Sequence, residues 1–190
     1  MEKVITAGDA AIRISDSGRP RAREGVRAPH GGEMTIVLLH GYLESLDVWD
    51  DFTRLLKPHM RVVAPDLPGH GISEVVGEVH TMEFLADTVH AALEVLNVGR
   101  CVVAGHSMGG YVALEYMRKY PENLAGMILV HSVPSGDTEE KRLNREREIN
   151  IVLSGKKDLL AQTVDKGFAP ENRRRFADTI ADLSEMAVLS

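Results

Sequence analysis

A single cysteine, Cys101, stands among 190 residues, which excludes a disulfide framework and any cysteine-based zinc site. It lies in the apolar run Cys101-Val102-Val103-Ala104, and a reducing, cytoplasmic setting is the expectation. Basic residues are also short: 22 Lys and Arg against 28 Asp and Glu leave a net charge of −6, and only 5% of residues are aromatic. That balance argues against a surface built for nucleic acid or anionic lipid. No window approaches the roughly 20 apolar residues of a membrane span, and the opening residues 1–6 lack an apolar stretch of signal-peptide length. What remains is a chain with 44% hydrophobic and 26% charged residues, the proportions of an ordinary globular domain. At this length about 70% of the unfolded surface can be buried, so neither disulfides nor structural metals are required.

Two short extended segments, residues 3–6 and 10–15, read as edge strands. They precede a turn-rich loop carrying Arg19, Arg21, Arg23 and Arg27, with Glu24 and Glu33 nearby. A solvated loop without function is expected there. Four β-rich apolar runs follow: residues 35–39, 61–64, 101–104 and 126–130. Unbroken runs of this kind suit strands covered on both faces, as in parallel sheets. Met82, Leu85, Val89, Leu93 and Leu96, at steps of three and four, mark a helix between two of the runs. Strand and helix alternate, so the fold class is α/β, a doubly wound and mostly parallel sheet. After Pro134 the β-rich runs stop, and charged sequence punctuated by Gly155, Gly167 and Pro170 predicts two or three amphipathic helices. The expected organisation is a core over 1–134 with six strands and a helical unit over 135–190.

Chemistry concentrates where strands end. Gly105-His106-Ser107-Met108-Gly109-Gly110 follows a strand-like run and precedes a helix-like one, the context a G-x-S-x-G turn requires. At such a turn Ser107 is exposed as a nucleophile, Gly105 and Gly109 allow close packing, and the Met108 N–H at the helix start can meet a developing oxyanion. His40-Gly41-Tyr42 follows the run at 35–39, where Gly41 permits a tight turn, Tyr42 offers a second oxyanion N–H, and His40 braces the loop. In Asp66-Leu67-Pro68-Gly69-His70-Gly71-Ile72-Ser73, an acid–base pair of Asp66 with His70 competes with a loop-bracing network, and the latter is favoured.

These three motifs, in this order and spacing, resemble the α/β-hydrolase superfamily over about residues 12–133, and more narrowly its serine esterases, peroxidase-like hydrolases and carbon–carbon bond hydrolases. Ser107 argues against the aspartate-nucleophile branches. The resemblance implies a serine hydrolase of a small ester, thioester or related carbonyl substrate, with no cofactor or metal, and a helical cap from residue 137 onward. It also implies an acid and then a histidine after the serine. Here the histidines are at 30, 40, 59, 70, 80, 90, 106 and 131, with none in the last 59 residues. The expectation is a C-terminally truncated hydrolase with an incomplete sheet. His131, at the end of the sixth strand, is the remaining candidate base, although a residue bracing the junction with the cap is the favoured reading, and Asp137 is an acid only if it has a histidine to orient. His106, adjacent to Ser107, is expected to point away from it and pack on neighbouring loops. A non-catalytic relic binding a small ligand or protein partner is the alternative. The expected partner is a small-molecule substrate, with a homo-oligomer formed through the open sheet edge as a further expectation. Ile149, Val152, Leu153, Leu160, Phe168 and Phe176 either line a pocket or only pack helices, the second being favoured, and Arg173-Arg174-Arg175 is expected on the solvent face of a helix.

Overall fold

Each apolar run forms a strand. In the computed structural model, which describes residues 1–18 and 34–189, the strands are β1 (Glu2–Ala7), β2 (Ala10–Asp16), β3 (Thr35–Leu39), β4 (Arg61–Pro65), β5 (Cys101–His106) and β6 (Leu124–Val130). The helices are α1 (Asp50–Leu56), α2 (Met82–Val95), α3 (Met108–Lys119), α4 (Glu139–Leu153), α5 (Lys157–Ala161) and α6 (Ala177–Leu189). The arginines expected in a solvated loop, Arg19, Arg21, Arg23 and Arg27, lie outside the described residues, as do Glu24, His30 and Glu33.

The six strands make one sheet in the order β1-β2-β4-β3-β5-β6. β4, β3, β5 and β6 run parallel, while β1 and β2 are antiparallel additions. β2 is therefore not an edge strand: it pairs with β1 on one side and β4 on the other, and its alternate residues Ala10, Ile12 and Ile14 are buried. The alternation was visible, but its partner β4 lies some fifty residues away, and pairing of that kind leaves no local mark.

β3 shows why the runs are unbroken. Val37 and Leu39 enter a core with Leu85, Val89 and Leu93 of α2 and Val112, Ala113 and Tyr116 of α3. Ile36 and Leu38 enter a second core with Leu46 and Trp49, in the turn leading to α1. Helices thus cover both faces, as a doubly wound sheet requires. α2 starts where Thr81 Oγ1 accepts the Phe84 N–H at 3.1 Å. Its buried stripe of apolar side chains contributes about 1.5–3 kcal/mol for each large residue. β6 differs from the other parallel strands. None of its residues is fully buried, Ile128 is 47% exposed, and among the described residues only β5 pairs with it.

The structure divides into two compact units, Met1–Pro134 and Ser135–Ser190. In the second, α5 and α6 bury Leu160, Ala161 and Ala187, and Ser184 Oγ donates to the Ala161 carbonyl at 3.2 Å. α4 is not amphipathic. Leu143, Ile149, Ile151, Val152 and Leu153 scatter around it, and it buries no residue. Phe168 and Phe176 pack ring on ring at 5.9 Å, whereas Ile149 and Leu153 are exposed. Arg173, Arg174 and Arg175 lie in a turn before α6 rather than on a helix, where Arg173 pairs with Asp165 at 2.9 Å and Arg175 covers the Phe176 ring. Pro170 opens a short 3-10 turn just before them, and the α-helical pattern begins only at Ala177.

Candidate functional site

Four parallel strands deliver the site, all at their carboxyl ends. β3 leads into His40, Gly41 and Tyr42; β4 into Asp66 to His70; β5 into Ser107; and β6 into His131 and Ser132. Because the sheet order places β3 and β5 side by side, with Leu39 opposite Gly105, the first loop and the Ser107 turn are neighbours.

Ser107 adopts φ +49° and ψ −111°, a backbone region that L residues rarely occupy. Its environment holds it there. The Ser107 N–H donates to the Val130 carbonyl at 3.0 Å, and its own carbonyl accepts from Ser132 Oγ at 2.9 Å and from the Gly110 N–H at 3.0 Å. The glycines are obligatory on contact grounds. A Cβ on Gly105 would enter the backbone of Gly109 and Gly110, one on Gly109 would lie 2.6 Å from the His40 carbonyl oxygen and nearer still to that of Leu39, and one on Gly110 would collide with Ser132. The helix therefore starts against the sheet, with the Met108 N–H in its first turn and the positive end of its dipole toward Ser107. Among the described residues Ser107 Oγ has no hydrogen-bond partner.

The loop after β3 is fixed by His40, which is fully buried. Its Nε2 accepts the Leu67 N–H at 2.9 Å, so Nδ1 carries the proton and donates to the Gly41 carbonyl at 2.8 Å. Both ring nitrogens are engaged by a neutral imidazole, and burial, with His70 nearby, pushes its pKa down to about 4. Since the Gly41 carbonyl and the Tyr42 N–H belong to one planar peptide, His40 orients that N–H. The Tyr42 ring meets His70 edge-on at 6.2 Å, and His70 packs against His40 at 5.1 Å.

Asp66 is a bracing residue. Its buried carboxylate accepts the N–H of Leu46 at 2.7 Å and of Ile72 at 3.2 Å and faces Arg13 Nη1 at 3.5 Å, and among the described residues His70 is not one of its partners. Burial raises its pKa, opposed by these donors and the guanidinium. Gly71, at φ +55°, leaves the space this carboxylate fills.

His131 follows β6 at φ +46°, exposed, with its ring 6.2 Å from that of His106. Asp137 forms an ion pair with Arg145. Two residues the motifs did not single out join the site. Ser132 anchors the Ser107 carbonyl, and Glu44 accepts from both the Gly41 N–H at 2.6 Å and His106 Nδ1 at 3.0 Å. The only local trace of Glu44 was a carboxylate three residues after a turn glycine. No group of His, Cys, Asp or Glu able to hold a metal occurs among the described residues.

A mostly parallel sheet with Ser107 on a strained strand-to-helix turn defines a class, and the comparisons agree with it. Residues 35–167 match the α/β hydrolase fold family, and the chain belongs to that family. It is 41% identical over 97 residues to a bifunctional esterase/perhydrolase of Acinetobacter calcoaceticus, covering 50% of this chain and 35% of that protein. It is 37% identical over 109 residues to the dihydrolipoyllysine-residue acetyltransferase component of an acetoin cleaving system of Pseudomonas putida, covering 56% of this chain and 30% of that one. Among solved structures, a thermophilic esterase from Thermogutta terrifontis superposes with a TM-score of 0.85 at 27% identity, covering 99% of this chain and 66% of the esterase. An enol-lactonase from Burkholderia xenovorans shares the fold at TM-score 0.83 and 21% identity, covering 98% of this chain and 67% of the lactonase. The matched stretch thus spans about a third of these two sequence relatives. No described helix is long and apolar enough to cross a membrane.

Proposed function

We propose that the chain carries the nucleophile and oxyanion hole of a serine hydrolase acting on a small ester, thioester or related carbonyl substrate, with the helices after Pro134 as its cap. The observation that carries this is the backbone of Ser107 at φ +49° and ψ −111°, enclosed by Gly105, Gly109 and Gly110. Such strain costs on the order of 1–3 kcal/mol, a cost with a purpose where it aims a hydroxyl outward. The similarity to the Thermogutta esterase and the Acinetobacter esterase/perhydrolase supports the same substrate chemistry.

In this reading Ser107 Oγ attacks the substrate carbonyl carbon and gives its proton to a base. The N–H groups of Tyr42 and Met108 hold the oxyanion, and the leaving group departs with a proton. Water then attacks the acyl-serine and releases the acid. Efficient turnover needs a histidine hydrogen-bonded to Oγ, and the described residues supply none in contact. His131 is the candidate within the chain, at the right edge of the sheet. With the oxyanion hole and binding alone, catalysis of roughly 10³- to 10⁴-fold over water is expected. The unpartnered Oγ also favours a second reading, a ligand-binding module that no longer turns over.

The deciding experiment treats the chain with p-nitrophenyl acetate and follows both nitrophenolate release and the intact mass. Stoichiometric acetylation of Ser107, lost in Ser107→Ala, is the expected result. Release that is unaffected by Ser107→Ala refutes the hydrolase reading, and the absence of any acetyl adduct favours the binding module. Sustained turnover that His131→Ala abolishes assigns the base.

A further inference from the structure

The two proposed oxyanion donors belong to different loops. Tyr42 follows β3 and Met108 follows β5, so their separation is set by the sheet and by whatever crosses between the loops. A side-chain pair crosses there. Oε2 of Glu44 accepts the Gly41 N–H at 2.6 Å within its own loop and His106 Nδ1 at 3.0 Å from the residue before Ser107. Both groups occupy the space beside Gly41, since a Cβ at position 41 would sit 2.9 Å from Glu44 Oε2 and 3.0 Å from His106 Nδ1. The pair is partly screened, with side chains 22% and 30% exposed.

We propose that Glu44 and His106 form a positioning pair that fixes the distance between the Tyr42 and Met108 N–H groups and thereby sets the rate of acyl transfer to Ser107. The proposal rests on the hydrolase reading of Ser107 and adds to it two residues that touch neither substrate nor the reacting atoms. The geometry already divides the labour. His40 orients the Gly41–Tyr42 peptide through its carbonyl, and Glu44 then ties the N–H on the other side of Gly41 to the Ser107 turn. The electrostatics fit a charge-assisted bond. The Glu44 hydrogen bond raises the His106 pKa against the effect of burial, while burial pushes Glu44 up and His106 and the Gly41 N–H bring it below its ordinary value. The titratable groups facing His106 are Glu44, His131 across the ring contact and, more distantly, His40.

Three variants test it: Glu44→Gln, His106→Gln and the double substitution, in the whole chain. Oxyanion donors displaced rather than removed should slow acetylation of Ser107 by p-nitrophenyl acetate about 10- to 100-fold. The half-saturating ester concentration should stay unchanged, and the double variant should be no slower than either single one. Independently of Ser107 reactivity, NMR should show the Tyr42 and Met108 amide signals moving together with the midpoint of the His106 imidazole. In Glu44→Gln that midpoint should fall and the Tyr42 amide should stop following it. Additive losses, a wild-type acetylation rate in Glu44→Gln, or a Tyr42 amide blind to His106 would each overturn the proposal. If Ser107→Ala leaves acetylation intact, the hydrolase reading falls instead, and the NMR coupling still decides whether the pair joins the two loops.

Discussion

Replacing Ser107 by glycine should stabilise the protein while removing its chemistry. The residue sits at φ +49° and ψ −111°, where a Cβ is strained and glycine is not. That strain is on the order of 1–3 kcal/mol. Glycine gives back about 0.5–1 kcal/mol through the larger freedom of the unfolded chain, so the net gain is about 1 kcal/mol. For a chain of this size, 1 kcal/mol raises Tm by roughly 2–4 °C. Ser107→Ala is the control: it keeps the Cβ and the strain, and it deletes an Oγ that has no hydrogen-bond partner among the described residues, so its stability should stay within about 0.5 kcal/mol of wild type. Urea unfolding of the three proteins, with equal m-values required for the comparison, reads the difference between glycine and alanine directly. A Ser107→Gly midpoint at or below that of Ser107→Ala would show that the turn is not strained, and the principal argument for a nucleophile would go with it.

Gly109→Ala sets helix propensity against contact. Alanine in α3 should gain about 1 kcal/mol, yet its Cβ meets the backbone carbonyls of Leu39 and His40, and overpacking there should cost about 1–3 kcal/mol or more. A lower urea midpoint is expected, whereas Gly99→Ala, whose Cβ meets nothing within 4 Å among the described residues, should be close to neutral. His40 gives a pH dependence. Its pKa is lowered to about 4 in the folded protein from an ordinary value of 6.5, so its contribution is complete above 6.5 and is lost as pH falls toward 4. The stability difference between wild type and His40→Gln should therefore shrink on acidification, and a difference that stays constant between neutral pH and the folded pKa of about 4 would contradict a buried neutral imidazole. The outer edge of β6, with Ile128 47% exposed, should drive self-association of the chain, and a monodisperse monomer by size-exclusion chromatography with light scattering would refute that.

Much of the scaffold was legible because its signals are local. The unbroken run at 35–39 had to be covered on both faces, and it is. Gly105, Ser107 and Gly109 were readable because backbone sterics at a strand-to-helix turn act over five residues. α4 misled for a local reason too: fifteen residues with five large aliphatics suggested an amphipathic stripe, but their angular positions spread around the helix and none is buried. β2 looked like an edge strand until β4 proved to be its second partner.

The sequence by itself determined the alternation of strand and helix, the six strand positions and the strained turn at Ser107, since periodicity, propensity and glycine sterics are written in neighbouring residues. Only the tertiary structure decided that Asp66 braces a loop against Leu46, Ile72 and Arg13, that Ser132 holds the Ser107 carbonyl, and that Glu44 reaches His106. Apart from the bond to Ile72, those contacts join residues 20 to 62 positions apart. They exist because the order β2-β4-β3-β5-β6 sets particular strand ends side by side. A side chain's partner across a sheet depends on that order, which no stretch of neighbouring residues encodes.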